Sequence, residues 1–312
     1  MEISGLLLSY IAILGFILGF VVSKTNFCTM GAVSDWVNIG DLSRFKSWMF
    51  AAAIAILGVT VFEFLSYFDL NNSRIPYRNS VFSWPRYVLG GLMFGVGMTY
   101  ASGCGNKVLI RIGGGNLKSI VVLLIAGLMA YIMTRTDFYG IIFHSWMNPI
   151  SPDLAILGIE DQSLSTIMSS IIFTANTVYY KLTIGLLVGF IFMYYIFRSG
   201  SFVKNIDNVI GGFIVGSVVV LAWYLTGSTL GQEWIETNDF LDNPLPGVGV
   251  QSFTFINPMG ESIIYFSKSA DIYYLTFGVT ALLSVILGSF VYSMMSRSFR
   301  MEWFQSKEDF KR

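Results

Sequence analysis

Residues 90–115 read GGLMFGVGMTYASGCGNKVLIRIGGG, and the reading of this stretch decides the fold. It opens as an apolar, glycine-studded helix and ends in a polar turn, Gly103-Cys104-Gly105-Asn106-Lys107. Arg111 and the triplet Gly113 to Gly115 follow at once. Glycines at 91, 95, 103 and 105 allow close helix approach and unusual backbone angles. Cys104 stands between two glycines, so its thiol is not shielded by neighbouring side chains. A helix that breaks at membrane depth beside a thiol and two cations reads as part of a pathway rather than a simple span.

The rest of the composition fits a membrane setting. The chain has 312 residues, 54% of them hydrophobic and only 12% charged, with a mean hydropathy of +0.65. A soluble domain has roughly a quarter charged residues, so this is an integral helical membrane protein whose first partner is the lipid bilayer. A formal net charge of +0 gives no reason to expect nucleic acid. Two cysteines are too few for a disulfide scaffold. A single histidine, His144, excludes an imidazole-built metal or catalytic cluster. No Gly-x-x-x-x-Gly-Lys-Ser/Thr phosphate loop occurs, and no cofactor is expected.

Outward from the central stretch, long apolar runs lie at residues 3–22, 48–68, 117–134, 182–197, 209–225 and 272–295. The first leads into Asn26-Phe27-Cys28-Thr29-Met30-Gly31, a second polar, thiol-bearing break. Residues 141–159 are apolar but carry Pro149 and Pro152, which suits short interfacial or re-entrant helices. Residues 227–271 read as a long acidic loop, with Glu233, Glu236, Asp239, Asp242 and Glu261 against Lys268. The positive-inside rule puts the Arg198/Lys204 connector and the charged tail in the cytoplasm and this loop outside. For the first half of the chain the rule gives no clear orientation.

A shift of 76 residues lays Gly15 on Gly91, Gly19 on Gly95 and Cys28 on Cys104. Gly-x-x-x-Gly alone is common helix packing. The same spacing carrying both cysteines of the chain reads as an internal repeat. A weaker third copy begins at Gly185, with Arg198 where the cysteine would stand, and Gly211-Gly212 to Gly216 resembles Gly90-Gly91 to Gly95. The expected architecture is therefore all-α, with pseudo-symmetric repeats of transmembrane helices and short re-entrant segments. Residues 1–150 form a first half with both cysteine turns, and 151–312 a second half.

The residues also narrow the solute. Between Asn71 and Thr136 there is no acid and there are seven cations: Arg74, Arg78, Arg86, Lys107, Arg111, Lys118 and Arg135. An acid-free, cation-bearing region flanking the turn attracts anions, and broken-helix N-termini add free N–H donors. Five of these cations read as ordinary interface anchors. Lys107 and Arg111, beside the thiol, are the functional candidates. A thiol is a weak, soft donor, ill-suited to phosphate or sulfate but suited to an anion that exposes sulfur, because a pathway needs shallow binding. Glu63, near a span end, reads as a snorkelling or capping residue. Residues 252–260 read as an external lid or a loop.

The segments Gly15-Phe-Ile-Leu-Gly-Phe, Asn26-Phe-Cys-Thr-Met-Gly31, Ser102-Gly-Cys-Gly-Asn-Lys and Phe253-Thr-Phe-Ile-Asn-Pro-Met-Gly260 closely resemble the YeeE/YedE family of bacterial inner-membrane proteins. The resemblance covers nearly the whole chain. It implies uptake of thiosulfate or a related sulfur anion, a pseudo-symmetric fold with re-entrant loops meeting at the centre, and a path lined by Cys28 and Cys104. It also implies a small cytoplasmic sulfur-carrier protein as a partner. Family members continue past a segment like Phe299-Arg-Met-Glu-Trp-Phe304 into another glycine-rich helix with a further Gly-Cys turn. On that pattern the second half is incomplete at its C-terminus, and a second chain or a homo-oligomer completes the fold. The expected pathway residues are Cys104, Cys28, Gly103, Gly105, Asn106, Lys107 and Arg111, and no enzyme activity is expected. Rival readings are a membrane sulfurtransferase with a persulfide on Cys104, a non-conducting structural subunit, and soft-metal transport. The lack of closely spaced Met or Cys pairs counts against the last.

Overall fold

The computed structural model describes residues 2–70, 73, 78–172, 177–198, 200–245 and 247–306. Arg74, one of the seven cations, lies outside them. The helices in chain order are α1 (Glu2–Thr25), α2 (Thr29–Ile39), α3 (Ser43–Phe64), α4 (Trp84–Tyr100), α5 (Gly105–Gly113), α6 (Lys118–Arg135), α7 (Ser145–Met147), α8 (Leu164–Ile172), α9 (Thr177–Phe197), α10 (Gly200–Lys204), α11 (Ile206–Gly227), α12 (Thr229–Asp239), α13 (Ile256–Ser267) and α14 (Phe277–Met295). Among the described residues no strand forms, only isolated bridges. Seven helical stretches are long and apolar enough to cross a membrane. The segment after α6 forms short π and 3-10 turns at Gly140–His144, Asn148–Ile150 and Leu154–Leu157, the last two at Pro149 and just after Pro152.

Residues 227–271 are not the simple loop that their polarity suggests. They hold α12 and α13, and α13 buries Pro258, Met259, Gly260, Glu261 and Ser262. The polarity belongs to α12 and the connectors. In α13 the Asn257-Pro258 pair lies in the first turn, where a proline's missing N–H costs nothing.

The core joins the two halves of the chain rather than separating them. Leu18 and Val22 of α1, Val108 to Ile110 of α5, Val218 of α11, Met259 of α13, and Leu282 and Val285 of α14 form one buried cluster. Glycine sets the closeness of α1 and α14. A Cβ on Gly19 would collide with the Val285 carbonyl, and one on Gly288 with the Phe16 carbonyl. Lipid gives helices no hydrophobic reason to associate, so such backbone-to-backbone packing does the work.

The repeat mates of these glycines behave differently. A Cβ on Gly90, Gly91, Gly95 or Gly97 would meet nothing within 4 Å. Leu92, Val96 and Tyr100 are also exposed, so α4 keeps an open face among the described residues. The third glycine copy packs conventionally: Gly185 lies on Thr60 and Gly189 on Leu57 of α3. There α9 runs unbroken to Phe197, with no thiol turn.

One end of the bundle is basic. Ser47 donates to the Asn208 carbonyl at 2.6 Å, Lys46 lies over Tyr195, and Ser289 donates to the Ile110 carbonyl at 2.8 Å. With Ser23 of α1 beside Ser289 and Thr25 against Gly211, these contacts gather the C-termini of α1, α5, α9 and α14 with the N-termini of α3 and α11. The tail joins them, with Arg300 N–H on the Gly114 carbonyl at 3.1 Å. Lys24, Arg44, Lys46, Arg198, Lys204, Arg297 and Arg300 stand at this end. Glu63, Asp69, Asp161, Glu233 and Glu236 stand at the other. The positive-inside rule counts such cations together, so the first half takes the same orientation as the second.

Candidate functional site

Each cysteine sits at a helix break, and the two breaks share backbone geometry at two matching positions. Asn26 and Ser102, 76 apart, are both left-handed, with φ of 50° and 56°. For non-glycine residues this region is uncommon, and Asn tolerates it best. Two residues later Cys28 and Cys104 are both extended and both occupy the N-cap, of α2 and α5 respectively. The Gly31 N–H donates to the Cys28 sulfur at 3.5 Å. The repeat inferred from glycine and cysteine spacing is thus a repeat of backbone geometry.

The fold then brings the two thiols together, side chain within hydrogen-bonding reach of side chain. Cys28 is buried and Cys104 half-buried. Lys107 lies within electrostatic reach of both sulfurs and of Arg111 and Arg44. Gly103 has φ 159°, and a Cβ there would stand 2.8 Å from Lys107 Cβ. Glycine at this position lets Lys107 fold back over the turn. Arg111 Nη1 donates to the Ser102 carbonyl at 3.2 Å, bracing the break from below. The side-chain oxygen of Asn106 is buried with no hydrogen-bond partner.

Two features of the site carry no sequence signal. The first is Arg44. Its Nη2 donates to the Asn26 carbonyl at 2.7 Å, and its Nη1 pairs with Asp35 at 2.9 Å. A Cβ on Gly31 would fall 2.5–2.8 Å from the guanidinium. Gly31 is the repeat mate of Lys107. Where the second copy places a lysine in its half-helix, the first copy leaves a glycine, and α3 fills the space with an arginine.

The second is the start of α13. A Cβ on Gly105 would lie 2.9 Å from Ile256 Cδ1 and 3.3 Å from Phe255 Cβ. Met259, one turn on, packs its carbonyl against Gly127, half-way along α6. From this meeting point α5 runs to the basic end and α13 to the acidic end. Residues 253–260 are therefore neither lid nor loop but the re-entrant turn and first helical turn of a half-helix. No side chain caps the first turn of α5 or α13. Three helix N-termini, of α2, α5 and α13, converge near two thiols and three cations. Each N-terminus offers free N–H groups and about half a positive charge. The arrangement suits an anion that exposes a soft atom.

The other cations of the acid-free region go elsewhere. Arg78 binds Glu63 at 2.9 Å and approaches Asp161 at 3.8 Å. Arg86 donates from Nε to the Tyr139 hydroxyl at 2.8 Å, Lys118 lies over Phe304, and Arg135 ends α6. Glu63, held by Arg78 and by Lys181 at 4.0 Å, is an ion-pair partner rather than a snorkelling residue. It lines a cavity of about 1140 Å³ at the acidic end. Four carboxylates there, of Glu63, Asp69, Glu233 and Glu236, outnumber Arg78 and Lys181, so the cavity does not suit a dianion.

Known proteins share this arrangement of sequence. The chain is 25% identical over 309 residues to the thiosulfate transporter TsuA of Escherichia coli K12, covering 93% of this chain and 75% of that protein. It is 28% identical over 144 residues to the thiosulfate transporter TsuA of Spirochaeta thermophila, covering 46% of this chain and 41% of that protein. The family model for sulphur transport matches residues 24–312, through both thiol breaks and the α13 turn, and the chain accordingly belongs to the sulphur transport family.

Proposed function

We propose that this protein carries thiosulfate, or a sulfur anion of the same kind, inward across the bacterial inner membrane past Cys28 and Cys104. The observation that carries the reading is the convergence of the two repeat-related thiols with the N-termini of α2, α5 and α13. The anion's oxygens take N–H donors of the half-helices and the fields of Lys107, Arg111 and Arg44. Its terminal sulfur takes S–H contacts, too weak to hold it. Asn106 belongs to the same turn, and glycine at 103 and 105 lets Lys107 and the start of α13 close in beside the thiol. The relatives named for thiosulfate transport support the choice of solute. The test is uptake of labelled thiosulfate into vesicles containing the protein, with sulfate as competitor. Uptake suppressed by excess sulfate as strongly as by excess thiosulfate overturns the role of the thiols.

Residues 1–150 and 151–312 act in this reading as two pseudo-symmetric halves. The open glycine face of α4 receives a helix from a second chain or a second copy. The cytoplasmic mouth hands the anion to a small sulfur-carrier protein.

Arg44→Gln tests the symmetry argument. Arg44 is partly exposed and shares its charge with Asp35, so the effect is modest. The apparent KM for thiosulfate is expected to rise about 2–5-fold, equivalent to roughly 0.5–1 kcal/mol. The rise shrinks with added salt as screening grows. An unchanged KM at low salt removes Arg44 from the path.

A further inference from the structure

One buried acid is left unused by the path. Glu261 lies on α13 and is 6% exposed. The Asn257 amide donates to its Oε1 at 2.9 Å and the Thr276 hydroxyl to its Oε2 at 2.6 Å. No lysine, arginine or histidine pairs with it among the described residues. Its pocket is made by glycines. A Cβ on Gly247 would stand 2.8 Å from Oε1, and one on Gly278 2.6 Å from Oε2. The backbone is cut away on two sides to admit a carboxyl group, and a carboxylate buried in a membrane protein without a cation is costly.

The surroundings are otherwise poor in charge. The stretch of α6 facing α13 offers the Ala130–Tyr131 backbone opposite Gly260, with Lys118 and Arg135 only at its ends and Tyr131 as its one other titratable group. Along α14 the only titratable group is Tyr292. The connector before α13 brings Gly247, with Asp242 further back. On α13 itself Tyr265 and the following Lys268 stand beyond Glu261, and the connector that brings Thr276 also carries Asp271, Tyr273 and Tyr274. From α5, which meets α13 at the Gly105–Ile256 contact, the charged groups are Lys107 and Arg111.

A dianion entering a cell moves against the membrane potential. Glu261 sits on the half-helix whose N-terminus meets Gly105, the neighbour of Cys104, less than two turns from that point. We propose that Glu261 is the proton-coupling group of the transporter. A proton from the outer, acidic end adds to the Glu261 carboxylate to give the neutral acid, enters with the anion, and leaves to the cytoplasm, restoring the carboxylate. No bond other than the O–H is made or broken. Glycines 247 and 278 and the donors Asn257 and Thr276 hold the carboxyl in both forms. The inference rests on the transport reading above.

The test uses purified protein in proteoliposomes with labelled thiosulfate and the membrane potential clamped at zero. For the unaltered protein an inward gradient of one pH unit raises internal thiosulfate roughly tenfold for each proton coupled. Glu261→Gln keeps the shape of the side chain and removes the acid. Its expected behaviour is thiosulfate exchange at zero gradient without any pH-driven rise. That exchange also shows that the variant is folded. A Gln variant that still accumulates like the unaltered protein overturns the inference and leaves Glu261 a structural tie between α13 and α14. Accumulation that follows a sodium gradient and ignores pH overturns it too. If the unaltered protein moves no thiosulfate even in exchange, it is the transport reading that falls.

Discussion

Cys104→Ala is expected to abolish thiosulfate-dependent growth in a strain lacking other sulfur uptake, with protein levels unchanged. Cys104 N-caps α5 through an extended backbone, and no side-chain cap bond holds that helix. Alanine therefore leaves the break intact while removing the sulfur. The thiol meets Cys28, and the Lys107 field covers both. Without it Cys28 alone is left to meet the solute's sulfur on the proposed path. We expect initial uptake to fall at least about 100-fold, equivalent to roughly 2.7 kcal/mol. Cys104→Ser adds a second arm. A hydroxyl passes the anion poorly but above the alanine level, whereas a persulfide mechanism dies equally in both. Mass spectrometry of the unaltered protein after thiosulfate exposure gives an independent reading: a lasting sulfur adduct on Cys104 favours transfer chemistry over passage. Normal growth of the alanine variant sinks the site.

Gly19→Ala and Gly95→Ala are expected to have opposite effects, although the two glycines are repeat mates. At Gly19 the added methyl meets the Val285 carbonyl and Cα of α14. These are backbone atoms, and neither helix can yield without parting the buried cluster of Leu18, Val22, Leu282 and Val285. Overpacking of this kind costs about 1–3 kcal/mol or more. The expected result is a midpoint of thermal unfolding several degrees lower and less folded protein in the membrane. At Gly95 the methyl meets nothing. Alanine in a helix interior is favoured over glycine by up to about 1 kcal/mol, so the isolated chain keeps or raises its midpoint. Size-exclusion after graded heating measures both. Equal losses would falsify the assignment of α4's glycine face as open in the single chain. A loss at Gly95 confined to an assembled complex identifies that face as the seat of a partner helix.

The legible part of the site is local. Cys28 and Cys104 stand in polar, glycine-flanked turns that interrupt apolar helices, and both the spacing and the break chemistry are written in consecutive residues. Lys107 and Arg111 share that segment. Arg44 could not be found this way. Its place at the site depends on α3 folding back so that the guanidinium lies over Gly31, and nothing near Arg44 in the chain records that approach. The α13 turn was hidden for a different reason. Asn-Pro in a polar stretch has the composition of a loop, and only burial against Gly127 and Gly105 shows that it enters the membrane. By sequence Glu261 reads as one acid of an external loop for the same reason.

By itself the sequence determined the class, because hydropathy and the cost of unpaired backbone in lipid leave only helices for a chain this apolar. It also determined where those helices break, because glycine and polar residues act on the backbone within a few positions. The tertiary structure alone decided that the two thiols face each other, that three half-helices point at one place, and that one buried carboxyl has no cation paired with it among the described residues. Those are contacts between residues up to a few hundred positions apart, set by which glycine faces let helices touch, and sequence periodicity carries no record of which face meets which.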